Sequence, residues 1–296
     1  MKLRIAVAPG GGFDAGGFAA FVDAAERIGF DTIWLSDVPM MEAIDPIVGL
    51  TFAAGRTRRL KLGANVVPIG RNPMLLAKDL AQLDRLSNGR LLLSLVPGLD
   101  QPGERDALGI GRANRGAYLD EVMPMLRRWW AGETVDYSND RFSFPGVAVR
   151  PLPVQSPLEL WLGGKGPAAL ARVGRLADGW LGAAVVPDEV PAAVAAIEKA
   201  AAGAGRTIDP EHFGLSIPYA HVGPDERVVA VVRARRKDDD VRIEDLLPVG
   251  VGAIRDLLGR LTEHGLSKFV LRPVEPVASW DDELAWLADA VLDLQT

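Results

Sequence analysis

The chain contains no cysteine, which excludes disulfides, thiolate metal sites and a cysteine nucleophile. Histidine is scarce: the three present, His212, His221 and His264, are scattered without metal-ligand spacing. No stretch approaches the ~20 apolar residues that a membrane-spanning helix requires. An excess of positive charge is also missing. The formal net charge is -6, and a mildly acidic balance argues against nucleic acid or an anionic membrane as the main partner. The one basic cluster, Arg233, Arg235, Arg236 and Lys237, runs into Asp238, Asp239 and Asp240, and the pair of runs reads as a solvated helix end or loop. The opening run from Leu3 to Ala8 is too short for a secretory leader and reads as a first strand. A soluble, cytoplasmic protein is expected.

What the chain does have is core material and alternation. Its 296 residues are 48% hydrophobic and 24% charged, ordinary for a globular domain. Strand-like runs are expected at Leu3 to Ala8, Thr32 to Ser36, Lys61 to Val66, Arg90 to Val96, Leu158 to Leu162, Trp180 to Ala183, Phe213 to His221 and Lys268 to Leu271. Helical spacing follows each of them. Gly17 to Ile28 stops at Gly29; Pro46 to Ala54 has Asp45 as N-cap; Pro73 to Leu86 carries proline in its first turn. Further helices are expected at Ala117 to Trp130, Pro167 to Leu176, Asp188 to Ala202, Asp225 to Arg235, Gly252 to His264 and Asp281 to Leu294. Eight such units imply a parallel sheet closed into a (β/α)8 TIM barrel, a single domain over 1–296. An open doubly wound sheet is the competing architecture. The proline-punctuated segment from Gly132 to Pro153 reads as a hairpin or excursion between the fourth and fifth units.

In a barrel of this kind, function sits on loops after the strands' C-terminal ends. Those ends offer Pro9-Gly10-Gly11, Asp37, Asn65-Val66, Pro97-Gly98, Gly163-Gly164-Lys165, Ala183, Tyr219 to His221 and Arg272. Acids and bases are few, with only Asp37 and Asp100 near strand ends, so a two-carboxylate glycosidase or a metal hydrolase is disfavoured. Chemistry borne by a bound organic cofactor is the better expectation. The turn Gly163-Gly164-Lys165-Gly166-Pro167 is the best phosphate site: it follows a strand, opens a helix and adds a lysine charge. It is no Walker loop, because Lys165 is followed by Gly166, and a βα turn with no ligand stays an alternative. Glu104 reads as a stabilising acid at a helix start. The seven tryptophans fall mostly inside elements and read as core, with Trp129 and Trp130 offering an apolar face for a homodimer.

Several segments together resemble the luciferase-like oxidoreductase superfamily, in its coenzyme F420-using branch. They are Phe30 to Asp37, Leu60 to Pro68, Arg71-Asn72-Pro73, Ala77 to Arg90, Val149 to Gln155 leading into Leu160 to Gly164, and Gly174 to Leu181. The resemblance implies a cofactor at the strands' C-terminal face, touched by Asp37, Val38, Ala64, Asn65, Val66, Gly98 and the Gly163 to Pro167 turn. It further implies a non-prolyl cis peptide between Asn65 and Val66, with Asp37 as the acidic residue near the cofactor ring. Relatives that oxidise alcohols carry a histidine after that acid, whereas this chain has Val38. The implied activity is therefore hydride transfer between deazaflavin C5 and a small organic substrate, as a reductase rather than an alcohol dehydrogenase. An FMN-dependent monooxygenase, and a flavin- or deazaflavin-binding protein without turnover, are the other readings. Arg71, Lys165 and Arg272 are candidates for the acidic F420 tail, Arg71 and Arg272 also for an anionic substrate, with a plain surface or ion-pair role the alternative for each arginine; Tyr219 is a candidate facing the substrate.

Overall fold

The computed structural model describes residues 2–10, 14–99, 101–109, 114–224, 226–234, 236 and 240–296. In chain order the elements are β1 (Arg4–Val7), α1 (Ala15–Ile28), β2 (Thr32–Ser36), α2 (Pro46–Arg56), β3 (Lys61–Val66), α3 (Pro73–Leu86), β4 (Leu91–Leu95), α4 (Glu104–Ala107), α5 (Arg115–Trp130), β5 (Val135–Ser138), β6 (Ser143–Val147), β7 (Leu160–Leu162) and α6 (Pro167–Leu176). They continue with β8 (Gly179–Ala183), α7 (Val190–Gly203), β9 (Phe213–Tyr219), α8 (Glu226–Arg233), α9 (Gly250–Glu263), β10 (Lys268–Pro273) and α10 (Trp280–Val291). Strands β1, β2, β3, β4, β7, β8, β9 and β10 close on themselves as a barrel, and β5 with β6 forms a separate two-stranded sheet. This is the expected (β/α)8 architecture with its hairpin between the fourth and fifth units. By contact density the chain groups into two compact units: Met1–Trp34 with Thr57–Lys61 and Trp161–Thr296, and Leu35–Arg56 with Leu62–Leu160.

In the first unit the parallel register runs Ala6 to Thr32, Arg4 to Lys268, Lys268 to Gly214 and Trp161 to Gly179. The Asp14 carboxylate caps α1 by accepting the Gly17 N–H at 2.7 Å, and Gly29 ends the helix at φ 101°. The buried stripe of α1 includes Phe18, Phe21 and Val22, and Phe21 meets Trp280 edge-on with centroids 4.7 Å apart. A Glu26 carboxylate accepts the backbone N–H groups of Arg58, Arg59 and Leu60, and these bonds outweigh burial to hold its carboxyl low. Helices α6 and α7 approach closely at Gly174, where any Cβ would strike the Ile197 carbonyl and Ala200.

In the second unit, β3 and β4 run in register from Leu62 opposite Leu91 to Val66 opposite Leu95. Asn72 caps α3 through the Met74 and Leu75 N–H groups, with Pro73 at its first position. Fully buried Asp84 accepts the N–H groups of Val154 and Gln155 at 2.6 and 2.9 Å, and the Gln155 side-chain amide at 2.6 Å. Three donors on one carboxylate fix the path of the segment that leads into β7. The hairpin is held on α5 by Tyr137, whose hydroxyl donates to Glu121 at 2.7 Å.

Two expectations need correction. Trp129 and Trp130 are buried, donating their indole N–H groups to Val147 O and Ala77 O at 3.0 and 2.9 Å. A tryptophan already packed and bonded inside the chain presents no interface, so they give no support for a homodimer. The basic cluster is not simply solvated either: Arg236 is 7% exposed and grips Glu189 with both terminal nitrogens, at 2.9 and 2.7 Å. Arg235, Lys237, Asp238 and Asp239 lie outside the described residues.

Gly174→Ala tests the tight α6–α7 contact. It should lower unfolding free energy by about 1–3 kcal/mol in urea titration, because backbone rather than a flexible side chain blocks the new methyl. An unchanged midpoint would show that the two helices part without cost.

Candidate functional site

Asp37 is the residue after β2, and the Asn65 carbonyl receives its backbone N–H at 2.8 Å. Its carboxylate turns inward and is only 6% exposed. There Oδ2 accepts the Val67 N–H at 3.1 Å and Arg71 Nη2 at 2.8 Å. The same Nη2 donates to Asp45 Oδ2 at 2.7 Å, and Arg71 Nε donates to the Val67 carbonyl at 3.2 Å. Asp45 uses its other oxygen as the expected cap of α2, accepting the Ile47 and Val48 N–H groups. Arg71 is thus held between two carboxylates. Of the two roles expected for Arg71, anion binding and ion pairing, the second is present twice over.

Burial pushes the Asp37 carboxyl up, and the attraction of Arg71 and the Val67 amide only partly offsets it. Arg71 itself moves up: desolvation opposes its charge, but two carboxylates together outweigh that cost. The two directions are compatible because Arg71 serves two acids and is the more exposed partner, at 33% against 4%. A cavity of about 310 Å³ opens on this cluster. Asp37, Asp45 and Arg71 form its polar wall, and Val38, Met41, Ile44, Val67, Ile69 and Leu108 supply apolar lining.

Ala64, Asn65 and Val66 end β3, with Ala64 and Val66 fully buried. The Asn65 amide donates to Ser36 Oγ at 3.0 Å, while its buried Oδ1 has no partner among the described residues. The Asn65–Val66 peptide is trans. Cis bonds among the described residues are Arg150–Pro151 and Ser156–Pro157. Regular pairing runs through the site of the expected cis bond, Asn65 opposite Ser94 and Val66 opposite Leu95, and a ladder of that kind keeps the cheaper trans bond. Gly98 follows β4 beside a buried ion pair. Arg115 donates to the Pro97 carbonyl at 2.7 Å and to Glu104 at 2.9 Å, so Glu104 at the start of α4 is a structural acid. Asp100 lies outside the described residues.

The turn from Gly163 to Pro167 joins β7 to α6 as expected. Gly164 stands at φ 101°, where a Cβ would sit 2.8 Å from that of Ala169. Its carbonyl is held at 2.8 Å by the indole N–H of Trp180 on β8. Gly166 is the N-cap of α6 and brings no side-chain cap; Pro167 carries no N–H and Ala169 donates to the Gly166 carbonyl at 2.9 Å, so Ala168 supplies the remaining donor of the first turn. Lys165 adds positive charge, and its field is one of the influences lowering the nearby Glu189 carboxyl, behind the direct bonds from Arg236.

Tyr219 is corrected as a substrate-facing group. It is fully buried, and its hydroxyl donates to Glu283 at 2.5 Å, which with burial pushes the phenol strongly upward. His221 meets the same carboxylate at 2.8 Å and stacks on Trp286 at 3.8 Å. Arg272 is half-buried on β10, opposite Pro218. Sequence reading missed the Asp45–Arg71 and Arg236–Glu189 pairs. Asp45 was explained by its cap alone, and Arg236 was hidden among neighbours of opposite sign.

The sequence model for luciferase-like monooxygenase matches residues 3–242. The chain belongs to this family. Within it, a curated relative is the 5,10-methylenetetrahydromethanopterin reductase of Methanolobus tindarius, 32% identical over 199 residues, which are 67% of this chain and 59% of the relative. The chain therefore spans about three fifths of the length of the curated relatives it matches. A solved structure, the coenzyme F420 dependent tetrahydromethanopterin reductase from Methanopyrus kandleri, superposes with TM-score 0.81 at 21% identity, covering 100% of both chains. A monooxygenase from Streptomyces bottropensis gives TM-score 0.80 at 21% identity, covering 99% of each. At such identities these structures establish the luciferase-like fold. No helix among the described residues is long and apolar enough to cross a membrane.

The raised Asp37 carboxyl carries a pH signature. The folded state binds this proton more tightly than the unfolded chain, so the group's stabilisation is complete below about 3.9, the ordinary aspartate value, and is lost as pH rises through the folded value. Urea unfolding of the wild type and Asp37→Asn between about pH 3 and 8 should show a stability difference that falls with pH and then levels. A difference that grows with pH would reverse the assignment.

Proposed function

We propose that this luciferase-like chain is an F420-dependent oxidoreductase, a single barrel domain over 1–296 that works in the cytoplasm on a small organic substrate. When bound, F420 supplies hydride chemistry at C5 of its deazaflavin ring. The observation that carries the reading is the Gly163 to Pro167 turn. Left-handed Gly164, the uncapped helix start at Gly166 and the Lys165 charge together fit a phosphate. Gly163 and Pro167 complete that cradle. For the ring, Asp37, Val38, Ala64, Asn65, Val66 and Gly98 are the proposed contacts. The buried, unpartnered Oδ1 of Asn65 suits an N–H donor.

The chain's own contribution to the chemistry is placement and proton handling. Asp37 lines the cavity with a carboxyl that burial pushes up, which makes it the group to exchange a proton with substrate. Val38 can neither give nor accept one, so the reading favours reduction over alcohol oxidation. The F420-dependent tetrahydromethanopterin reductase of like fold supports the same cofactor. A second reading, an FMN-dependent monooxygenase, is favoured by the monooxygenase of equal structural likeness.

Fluorescence titration separates the two. F420 should bind at micromolar concentration and FMN more weakly, and Gly164→Val should weaken F420 by more than about tenfold by forcing the turn off its left-handed conformation and against Ala169. Tighter binding of FMN would favour the monooxygenase, and binding of neither would overturn both.

A further inference from the structure

The cavity beside Asp37 also carries information about what it admits. Arg71 lines it with a side chain one-third exposed. Its Nη2 hydrogens go to Asp37 and Asp45, and its Nε hydrogen goes to the Val67 carbonyl. Its Nη1 makes no hydrogen bond among the described residues, leaving two donors on a guanidinium that the carboxylates hold still. The charge around it is one cation against two carboxylates, a net negative wall. An anion approaching Nη1 is attracted by the guanidinium and repelled by the two carboxylates bonded to its other terminal nitrogen, whereas a neutral acceptor meets no such repulsion. A neutral carbonyl or imine needs only the donors. The remaining lining, with Val38, Met41, Ile44 and Leu108, is apolar, and about 310 Å³ lies at the small end of ligand sites.

We propose that this cavity binds a small uncharged organic compound through a C=O or C=N acceptor held by Arg71 Nη1, and that Asp45 makes it discriminate against carboxylates. Calling that compound the substrate rests on the oxidoreductase reading above; the binding site does not. Asp45 acts here through its charge, separately from its role as the α2 cap.

Benzamide and benzoate, nearly identical in shape, probe the charge rule by ligand-observed NMR near pH 8. Benzamide should bind at least about tenfold more tightly than benzoate. Asp45→Asn keeps a capping oxygen but loses the charge, and should bring the two within about threefold. Arg71→Met should lose benzamide binding, with circular dichroism checking the fold; if that variant does not fold, Asp45→Asn decides. Equal or tighter benzoate binding, an unchanged ratio in Asp45→Asn, or no benzamide binding at about 10 mM would overturn the proposal. So would competitive displacement of benzamide by F420, which would assign the cavity to the cofactor. Failure of F420 to bind, with the benzamide pattern intact, would instead sink only the cofactor reading.

Discussion

One guanidinium organises the loops after β2 and β3. Arg71 reaches a buried carboxylate at the end of β2, the cap of α2, and the carbonyl of Val67. Asp37 is costly to leave alone because it is buried, while Asp45, already stabilised as the α2 cap, and the Val67 carbonyl share the same donor. A single planar donor fork engages all three at once, which a lysine point charge could not do with the same rigidity. The cavity wall is therefore set before any ligand arrives, and the charge it presents is a by-product of how the loops are held.

Carboxylates serve the same purpose elsewhere. Glu26 collects three backbone N–H groups from Arg58 to Leu60, and Asp84 collects three donors from Val154 and Gln155. In both cases an acid on a helix ties down a connecting segment that has no ladder of its own. The β/α scaffold thus relies on a few buried or part-buried acids to position irregular chain.

Much of the fold was legible because local signals were strong. Thr32 to Ser36, Lys61 to Val66, Pro73 to Leu86 and Pro167 to Leu176 have the bounds read from the sequence; proline opens both helices, Ser36 ends the first strand and Lys61 begins the second. Asp37 and the Gly163 turn were legible because strand ends in a barrel are where function collects. Contacts at a distance were not. Arg71 and Asp45 lie 26 residues apart, with no periodicity to link them. Tyr219 was misjudged because alternation along a strand does not say which way its last residue turns, and Glu283, which claims it, sits 64 residues further on. The Asn65–Val66 bond came from resemblance alone, and the regular β3–β4 register leaves it trans.

Trp180 holds the turn through its side chain. Its indole is fully buried and its N–H is spent on the Gly164 carbonyl. Other indoles, such as those of Trp129 and Trp130, are bonded to Val147 and Ala77 instead. The proton on Trp180 Nε1 can exchange with solvent only when the turn lets go of it. The molecule therefore carries an unlabelled reporter of that turn's opening, one whose NMR signal speaks for a single hydrogen bond.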